Sequence, residues 1–374
     1  MKKYFLIGSV LFFLLGCILV YQNITFNDKK LHVVICDVGQ GDAIFIRTPN
    51  GSDILIDGGP DNSVLSCLGK HLPFWDRTIE VMILTHPHAD HLNGLITVLN
   101  RYKILSFVSE NLKNTTAGFS ELMRVITSQN IETRYVYAGD RFLFGDGLNI
   151  QIVGPSKEFL DQTSPWGTIG ETGEFASLEM IIEYKNFSVL LTGDSQVMEL
   201  EEMLKLIQHD NLDILQVPHH GSRFGLTADI LDVLKPKIAA ISVGKNNKYG
   251  HPTPFILDLL KSSNIKTLRT DQVGDSFGWS ELENKIIFIC TFVTKSTKSF
   301  LQVKVDLFLL VHSSGDLHPL LNPDLIGVRN PPESFAHKNL TVFVSIARDI
   351  KIITRCFQRS HWDFATNGGH QYFI

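Results

Sequence analysis

A short histidine-rich segment, directly after an apolar run, constrains this chain more than any other feature. The apolar run is residues 81–84 (VMIL), and the segment is residues 85–91 (THPHADH). The run predicts a buried strand. A helical zinc motif places two histidines four residues apart on one face. Here Pro87 removes a backbone donor and disfavours helix at His86, so we predict an extended loop.

The side chains of this loop are those that hold metal ions. In an extended loop, His86 and His88 would face one metal position, and Asp90 and His91 would face a neighbouring one. Neutral imidazole and carboxylate are ligands that Zn²⁺, Mn²⁺ and Fe²⁺ accept. We therefore predict a metal-binding loop rather than a solvated histidine-rich turn.

A strand followed by His-x-His-x-Asp-His resembles the metallo-β-lactamase superfamily. Further segments, in the same order along the chain, resemble its ComEC branch, the competence proteins of DNA uptake. They are residues 37–43 (DVGQGDA), 193–194 (GD), 217–222 (VPHHGS) and 247–252 (NKYGHP). The resemblance covers roughly residues 31–285 and implies an α/β fold, a four-layer αββα sandwich with its site at the strand ends.

The resemblance also implies a hydrolytic site with one or two divalent metal ions, Zn²⁺ or Mn²⁺. The expected ligands share an imidazole or carboxylate within a family motif: His86, His88, Asp90, His91, Asp194, His219 and His251. His86 and His88 match the first metal site, and Asp194 matches the carboxylate that bridges both metals. Asp90, His91 and His251 match the second site, and Asp90 or Asp194 would accept a proton from the attacking water.

Other residues are expected around these ligands: Asp57, His220, Ser222, Lys245 and Lys248. Asp57 resembles a carboxylate that orients a ligand histidine, with a plain turn aspartate as the alternative. Of the adjacent His219 and His220, we expect His219 to be the ligand. Lys245 and Lys248 could meet a phosphate or could be solvated loop lysines.

The chain departs from the superfamily pattern at one point. No histidine occurs between Leu92 and Gly193, where a third ligand of the first metal is expected. Ser177 and Glu174 are the nearest candidates. We therefore expect unequal occupancy, with the Asp90–His91–His251 site filled more tightly than the His86–His88 site.

The N-terminal segment predicts a membrane anchor. Residues 4–21 carry no charge and, as a helix, would span about 27 Å. Lys2 and Lys3 precede them, which favours a cytoplasmic N-terminus and a domain outside the membrane. A lipoprotein attached through Cys17, in the sequence LLGC, is the first alternative, and a cleaved signal peptide is the second.

The predicted domain organisation has four parts. Residues 1–21 form the anchor, 22–30 a linker, 31–290 the metallo-β-lactamase-like domain and 291–374 a tail without a recognised motif. The five cysteines are scattered and suggest no disulfide framework. Cys36 lies in an apolar strand and is interpreted as a core residue.

The net charge of −5 supplies no general attraction to nucleic acid, so DNA contacts would need a local patch or a bridging metal. We predict a metal-dependent hydrolase outside the cytoplasm that acts on phosphodiesters, with nucleic acid as the leading substrate. One alternative is a hydrolase of a lactone, a thioester or a small cyclic phosphodiester. Another is a non-catalytic domain that binds DNA or a protein partner.

Overall fold

Two β-sheets form the middle of the molecule. The computed structural model describes residues 2–169, 177–207, 212–280, 286–297, 300–311 and 340–346. The strands of the first sheet are β1 Leu31–Ile35, β2 Ile44–Arg47, β3 Asp53–Ile56, β4 Thr78–Leu84, β5 Lys103–Ser109, β6 Glu132–Tyr135, β14 Ser276–Ser280, β15 Ile286–Thr297, β16 Phe300–Val311 and β17 Leu340–Ile346. Their order is β17-β16-β15-β14-β1-β2-β3-β4-β5-β6.

The second sheet has the order β13-β12-β11-β10-β9-β8-β7. Its strands are β7 Arg141–Leu143, β8 Asn149–Gly154, β9 Glu179–Tyr184, β10 Phe187–Leu191, β11 Ile214–Gln216, β12 Ile238–Ile241 and β13 Lys266–Arg269. In each sheet, an antiparallel part joins a parallel part: β3 to β6 run parallel, and so do β10 to β13.

Helices cover the outer face of each sheet. They are α2 Val64–His71, α3 Ala89–Leu99, α4 Ala117–Ser128, α5 Lys157–Thr163, α6 Val197–Leu206, α7 Ala228–Leu234, α8 Pro254–Ser262 and α9 Thr270–Val273. One core cluster lies between the sheets, a second lies under α2, α3 and α4, and a third under α6, α7 and α8. This arrangement confirms the predicted αββα sandwich.

Strand β2 shows why the first sheet is buried on both faces. Ile44 and Ile46 belong to the core between the sheets, whereas Phe45 belongs to the core under the helices. Successive side chains of a strand point to opposite faces, so an unbroken apolar strand supplies two cores at once.

Helix α1, Lys2–Phe26, precedes the sandwich. It is long and apolar enough to cross a membrane, and no other helix among the described residues meets that test. Arg47 Nε donates a hydrogen bond to the carbonyl of Phe26, 3.1 Å away, so the end of α1 contacts strand β2. A helix at this position agrees with the predicted anchor. Whether it is cleaved, or lipidated at the exposed Cys17, stays a prediction.

The C-terminal strands extend the first sheet. Two apolar runs of the tail, residues 303–311 and 340–346, predict strands and fall within β16 and β17. Strand β15 crosses residue 290 and pairs with β14, which in turn pairs with β1. Residues 312–339 and 347–374 lie outside the described part of the chain, so the tail remains a prediction.

The sequence suggested no disulfide framework, but one pair of cysteines is bonded. Cys36 and Cys67 form a disulfide, with Cα atoms 5.8 Å apart and a sequence separation of 31 residues. Cys36 follows β1, and Cys67 lies on α2, which packs on the outer face of that sheet. Packing of the helix on the strand brings the two cysteines together, and their spacing along the chain gives no sign of it.

Candidate metal centre

The histidine segment lies between the carboxyl end of β4 and the start of α3. The expected extended loop was partly wrong, because helix α3 begins at Ala89 and contains Asp90 and His91 in its first turn. Pro87 restricts only its own residue and His86 before it. His88 is the extended N-cap residue, so the helix can start directly afterwards. Asp90 then lies at the helix N-terminus, where a carboxylate is favoured.

Close packing between two glycines holds α3 against the segment that follows strand β3. A Cβ atom at Gly94 would lie 1.8 Å from the carbonyl oxygen of Gly58, so only glycine fits this close approach. Gly58 N donates to the carbonyl of His91 at 2.7 Å. The first turn of α3 therefore lies directly beside the end of β3, where Asp57 is found.

Asp57 orients His91. Its Oδ1 accepts a hydrogen bond from Thr85 N at 2.8 Å, and its Oδ2 accepts from Thr85 Oγ1 and His91 Nδ1, both at 2.7 Å. Asp57 and His91 are buried. With Nδ1 engaged, the Nε2 atom of His91 faces Asp194, whose Oδ1 lies 3.3 Å away. This geometry supports the orienting role rather than a plain turn aspartate.

The second sheet supplies Asp194 from the end of β10. A Cβ atom at Gly193 would lie 2.1 Å from Ser177 Oγ, and Gly193 has a positive φ of 50°. Asp194 N donates to Ser177 Oγ at 3.0 Å, while that hydroxyl lies 3.5 Å from His86 Nδ1. Ser177 therefore links the backbone of Asp194 to a histidine of the other sheet. Glu174, the other candidate for the missing ligand, lies outside the described residues.

His219 and His220 follow β11, and both face Asp194. His219 has φ 48° and ψ 47°, and His220 has φ 55° and ψ 21°. Two consecutive left-handed residues other than glycine are uncommon, and such backbone conformations cluster at functional sites. His219 Nε2 lies 3.8 Å from Asp194 Oδ2, and His220 Nε2 lies 3.5 Å from Asp194 Oδ1. Both histidines therefore lie beside Asp194, including His219, the expected ligand.

The imidazoles divide between the two oxygens of Asp194. The Oδ1 set comprises Asp90, His91 and His220; its ligand atoms and those of Asp194 all lie within 4.8 Å of one another. Within it, His220 Nε2 is 3.5 Å from Asp90 Oδ2.

The Oδ2 set comprises His86, His88 and His219. His86 Nε2 is 3.8 Å from Asp194 Oδ2, and the rings of His86 and His88 are 4.5 Å apart. His219 Nε2 lies 3.8 Å from the same Oδ2, whereas the histidine that the superfamily pattern places between residues 92 and 193 is missing from this chain.

His251 lies elsewhere than expected. Its ring is 5.5 Å from that of His219 and 6.0 Å from that of Tyr249, and it lines the pocket above the Oδ2 set. The compact cluster around Asp90 and His91 contains His220 instead. The loop carrying His251 follows β12, whereas β11 places His220 closer to the helix that carries Asp90.

The donor atoms fit a divalent metal. Among the residues that the structure describes, Nε2 of His86, His91 and His220 and Oδ1 of Asp194 are buried atoms without a hydrogen-bond partner. Metal–nitrogen bonds of 2.0–2.1 Å place the ligand atoms of a tetrahedral site about 3.3 Å apart. The observed separations from Asp194 Oδ1, 3.3 Å to His91 and 3.5 Å to His220, agree with that value.

The electrostatics of the cluster favour an ionised Asp194. Burial alone raises the pKa of this carboxyl, but the imidazoles of His220 and His91 outweigh burial and lower the pKa well below its usual value. Burial lowers the pKa of His220, whereas Asp194 and Asp42 outweigh it and raise that pKa to about 9. The pKa of His86 is lowered, chiefly by burial, which keeps its imidazole neutral. The ionised carboxylate of Asp194 therefore interacts electrostatically with the imidazoles of His91 and His220.

Asp42 and Ser222 support the histidine pair. Gln216 Nε2 donates a hydrogen bond to Asp42, whose Oδ1 is 3.6 Å from His220 Nδ1. His220 Nδ1 donates to the carbonyl of Ser242 at 2.9 Å. Ser222 N donates to the carbonyl of His219 at 2.9 Å, and Ser222 is buried away from the pocket. Asp42 therefore places a negative charge beside His220, and Ser222 stabilises the turn that contains His219 and His220.

An open pocket lies over both ligand sets. Its lining comprises Gln40, His88, Ala89, Asp90, Asn114, Thr116, Asp194, His219, His220, Tyr249 and His251. Lys245 and Lys248 are exposed and are not among these residues, although Lys248 Nζ lies 5.3 Å from the ring centroid of Tyr249.

Sequence reasoning missed five of the lining residues as site residues, and one of them, Ala89, lies within the histidine segment. Gln40 and Tyr249 lie inside motifs that had been recognised, so their position was a usable signal. Asn114 and Thr116 lie in the loop after β5, and no motif marks them. Asn114 Nδ2 donates to the carbonyl of Pro87 at 2.8 Å, which ties this loop to the histidine segment.

Three known proteins from bacteria are similar to this chain. ComE operon protein 3 of Bacillus subtilis (strain 168) is 29% identical over 259 residues, covering 65% of this chain and 32% of that protein. Recombination protein 2 of Haemophilus influenzae is 28% identical over 254 residues, covering 66% and 29%. Competence protein ComA of Neisseria gonorrhoeae is 24% identical over 264 residues, covering 70% and 34%.

The matched segment corresponds to about a third of the length of each of these relatives. The family model of the metallo-beta-lactamase superfamily matches residues 36–245, which include the ligand-type residues of both sets. The chain belongs to the metallo-β-lactamase superfamily.

Proposed function

We propose that this protein is a metal-dependent hydrolase of phosphodiesters, with nucleic acid as its substrate. The observation that carries the proposal is that four imidazoles approach the two oxygens of Asp194 beneath an open pocket: His91 and His220 at Oδ1, and His86 and His219 at Oδ2. Two metal positions bridged by one carboxylate are suited to phosphoryl chemistry, where the attacking and leaving oxygens both need stabilisation.

The ligand assignment is part of the proposal. Asp90, His91, His220 and Asp194 would hold one divalent ion, and His86, His88, His219 and Asp194 would hold a second. His251, whose ring lies 5.5 Å from that of His219, would lie near the second ion and its substrate. Zn²⁺ and Mn²⁺ suit this mixture of imidazole and carboxylate. Such an ion, when bound, supplies Lewis acidity and lowers the pKa of water towards neutrality.

The two carboxylates of the centre have different tasks. The side chain of Asp90 is 32% exposed and lines the pocket, whereas that of Asp194 is 3% exposed and held through its backbone by Ser177. Asp90 can therefore exchange a proton with a reacting water at its free oxygen. Asp194 remains fixed and supplies charge between the ligand sets.

The rim of the pocket fits a nucleotide. Asn114 and Thr116 place an amide and a hydroxyl at one side, where they can donate to phosphate oxygens. Tyr249 is 58% exposed at the other side, and its ring is stacked against that of His251 with an interplanar angle of 29°. An exposed tyrosine ring offers a stacking surface to any base. The names of two relatives refer to recombination or competence, which agrees with a DNA substrate.

A membrane location completes the proposal. Helix α1 anchors the chain, and Lys2 and Lys3 before it favour a cytoplasmic N-terminus with the hydrolase domain outside. Lys29 and Lys30 follow the helix and reduce the charge difference between its ends. Protease added to intact spheroplasts should digest the domain, whereas complete protection would place it in the cytoplasm.

The activity is tested with the full chain in detergent, stripped of metal and reloaded with Zn²⁺ or Mn²⁺. The panel contains single- and double-stranded DNA, a chromogenic phosphodiester, a cyclic dinucleotide, a lactone and a thioester. We expect metal-dependent hydrolysis of the phosphodiesters, lost in His88→Ala and Asp90→Ala and kept in the exposed control Asp229→Asn.

Other outcomes separate the alternatives. Turnover of only the lactone or thioester would replace the substrate class and keep the metal centre. Metal-loaded protein that binds DNA without cleaving any substrate would make this a binding domain.

A further inference from the structure

A second group of ligand-type side chains lies beside the disulfide, near α2 and the loop before β14. One ligand atom each from Cys67, His71 and Asp275 lies within 4.8 Å of the others. Cys67 and His71 are four residues apart on α2, so they lie on one face of that helix. Cys36 adds a second sulfur, because it is bonded to Cys67. None of these four residues lines the pocket over Asp194.

Asp275 is fixed in this group by its own hydrogen bonds. Its Oδ1 accepts from Asp37 N at 2.8 Å, and its Oδ2 accepts from Lys70 Nζ at 2.7 Å. His71 Nε2 lies 3.6 Å from the same Oδ2. The carboxylate therefore lies beside the residue that follows Cys36 and beside the helix that carries Cys67.

We propose that the reduced chain binds one zinc-type divalent cation through Cys36, Cys67, His71 and Asp275. Two thiolates, one imidazole and one carboxylate make a four-coordinate set of the kind that Zn²⁺ prefers in closed structural sites. The disulfide and the metal are then alternative cross-links at one place. Each joins the end of β1 to α2, and the metal also joins the loop before β14.

The chemistry balances as two successive steps. A dithiol reductant gives two electrons and two protons to the Cys36–Cys67 disulfide, which becomes two thiols while the reductant becomes a disulfide. The cation then binds both sulfurs as thiolates, and two protons leave to solvent. Oxidation by a disulfide or another two-electron oxidant releases the cation and restores the bond.

The geometry allows this exchange with side-chain movement. With Zn–S bonds of about 2.3 Å, two sulfurs of a tetrahedral site lie about 3.8 Å apart. The thiols must therefore separate once the bond is broken, and the backbone Cα atoms already lie 5.8 Å apart.

Access is on the side of Lys70 and His71. Cys36, Cys67 and Asp275 are buried, whereas the side chain of Lys70 is 58% exposed. Lys70 balances the charge of Asp275 in the disulfide form and can turn to solvent when a cation replaces it. Burial of the thiolates keeps a bound cation from exchanging rapidly with water.

The test uses the full chain, synthesised in nanodiscs under reducing conditions so that the thiols never oxidise. The background carries Cys17→Ser, Cys290→Ser and Cys356→Ser, which leaves only the two cysteines of the group. The probe is Co²⁺, because thiolate ligation gives a sulfur-to-cobalt charge-transfer absorption that a centre of imidazole and carboxylate cannot give. We expect this absorption in the reduced chain and none after oxidation.

Variants assign the ligands. Cys67→Ser should abolish the absorption, and His71→Ala and Asp275→Asn should each weaken Co²⁺ binding at least tenfold. The matched controls His32→Ala and Asp271→Asn, and His88→Ala in the other centre, should leave the absorption unchanged.

A thermal measurement on the background chain tests the proposal without any ligand variant, so it does not depend on how the variants fold. Zn²⁺ should raise the Tm of the reduced background chain more than that of the oxidised one, because the centre around Asp194 is present in both and only the reduced chain has the second site. Absence of the charge-transfer absorption in the reduced chain, or its persistence with unchanged affinity in both His71→Ala and Asp275→Asn, overturns the site.

Discussion

The two ligand sets around Asp194 differ in how their imidazoles are held. In the Oδ1 set, His91 and His220 are buried, and their Nδ1 atoms are hydrogen-bonded at 2.7 Å to Asp57 and at 2.9 Å to the carbonyl of Ser242. In the Oδ2 set, His88 and His219 line the pocket, and His86 Nδ1 lies 3.1 Å from the Thr85 hydroxyl.

Anchored imidazoles lose less freedom when they bind a metal, and a carboxylate partner makes the ligand nitrogen more basic. We therefore expect the Oδ1 set to hold its ion more tightly. His88 and His219 of the Oδ2 set are half-buried at the pocket, unlike the buried His91 and His220, so the Oδ2 set is better suited to exchange ligands with substrate.

The largest effect is expected from Asp194→Asn, because this carboxylate serves both sets. Loss of its charge should remove tight binding at both positions and lower kcat/KM at least about 10³-fold, since metal catalysis supplies several kcal/mol. Metal content by mass spectrometry and turnover on a chromogenic phosphodiester check this result. The exposed control Asp229→Asn should behave as the parent; a variant at Asp194 that retains two metals would show that no shared carboxylate exists.

The next variants decide which histidine completes the tight site. His220→Ala should abolish the tight step of a metal titration, whereas His251→Ala should keep it and lower turnover only. His219→Ala should remove only the weak step. A titration of the stripped protein against a competing chelator measures both steps.

The same titration tests whether the two ligand sets are assigned correctly. The sequence pattern alone assigns His251 to the tight site, and the structure points to His220. If the tight step survives in His220→Ala and disappears in His251→Ala, the division into Oδ1 and Oδ2 sets is wrong.

A smaller effect is expected from Asp57→Asn. The amide cannot accept from Thr85 N, Thr85 Oγ1 and His91 Nδ1 as the carboxylate does. Loss of such an orienting partner typically costs 10–100-fold in metal affinity or activity. The tight step should weaken by about that factor and the weak step should change less. Asp61→Asn, in the neighbouring loop, is the control, and equal weakening of both steps would mean that Asp57 acts on the fold rather than on His91.

The smallest effect is expected at the rim of the pocket. Tyr249→Ala should raise KM for single-stranded DNA roughly fivefold or more, because stacking on an aromatic ring contributes about 1–3 kcal/mol per base. Tyr249→Phe should retain the parent KM, and neither variant should change the metal titration. An unchanged KM in Tyr249→Ala would remove base stacking from the proposal while leaving the ligand sets intact.

Several features could be predicted from the sequence because they depend on local chemistry. The ligand types of residues 86–91, the apolar strand before them and the uncharged segment that became α1 are properties of short stretches. Two runs of strands interleaved with helices fit the αββα layers, and the resemblance to the superfamily selected this arrangement among the folds that cover both faces of a sheet. The approximate position of the centre, at the strand ends, follows as well.

Tertiary structure decided which side chains meet. The resemblance implied that one of His219 and His220 is a ligand, and in an extended segment neighbouring side chains would point to opposite sides. Their left-handed backbone turns both towards Asp194, and this conformation depends on the close contact of the turn with β10 and β12.

The disulfide shows the same limit in another place. Cys36 and Cys67 are separated by 31 residues, and they meet because α2 packs over the end of β1. His251, on the loop after β12, lies beside His219, whereas the compact cluster with Asp90 and His91 contains His220, and spacing along the chain does not distinguish the two. Spacing along the chain determines chemistry and periodicity, whereas the direction of a side chain is determined by the backbone angles and by the elements that pack against it.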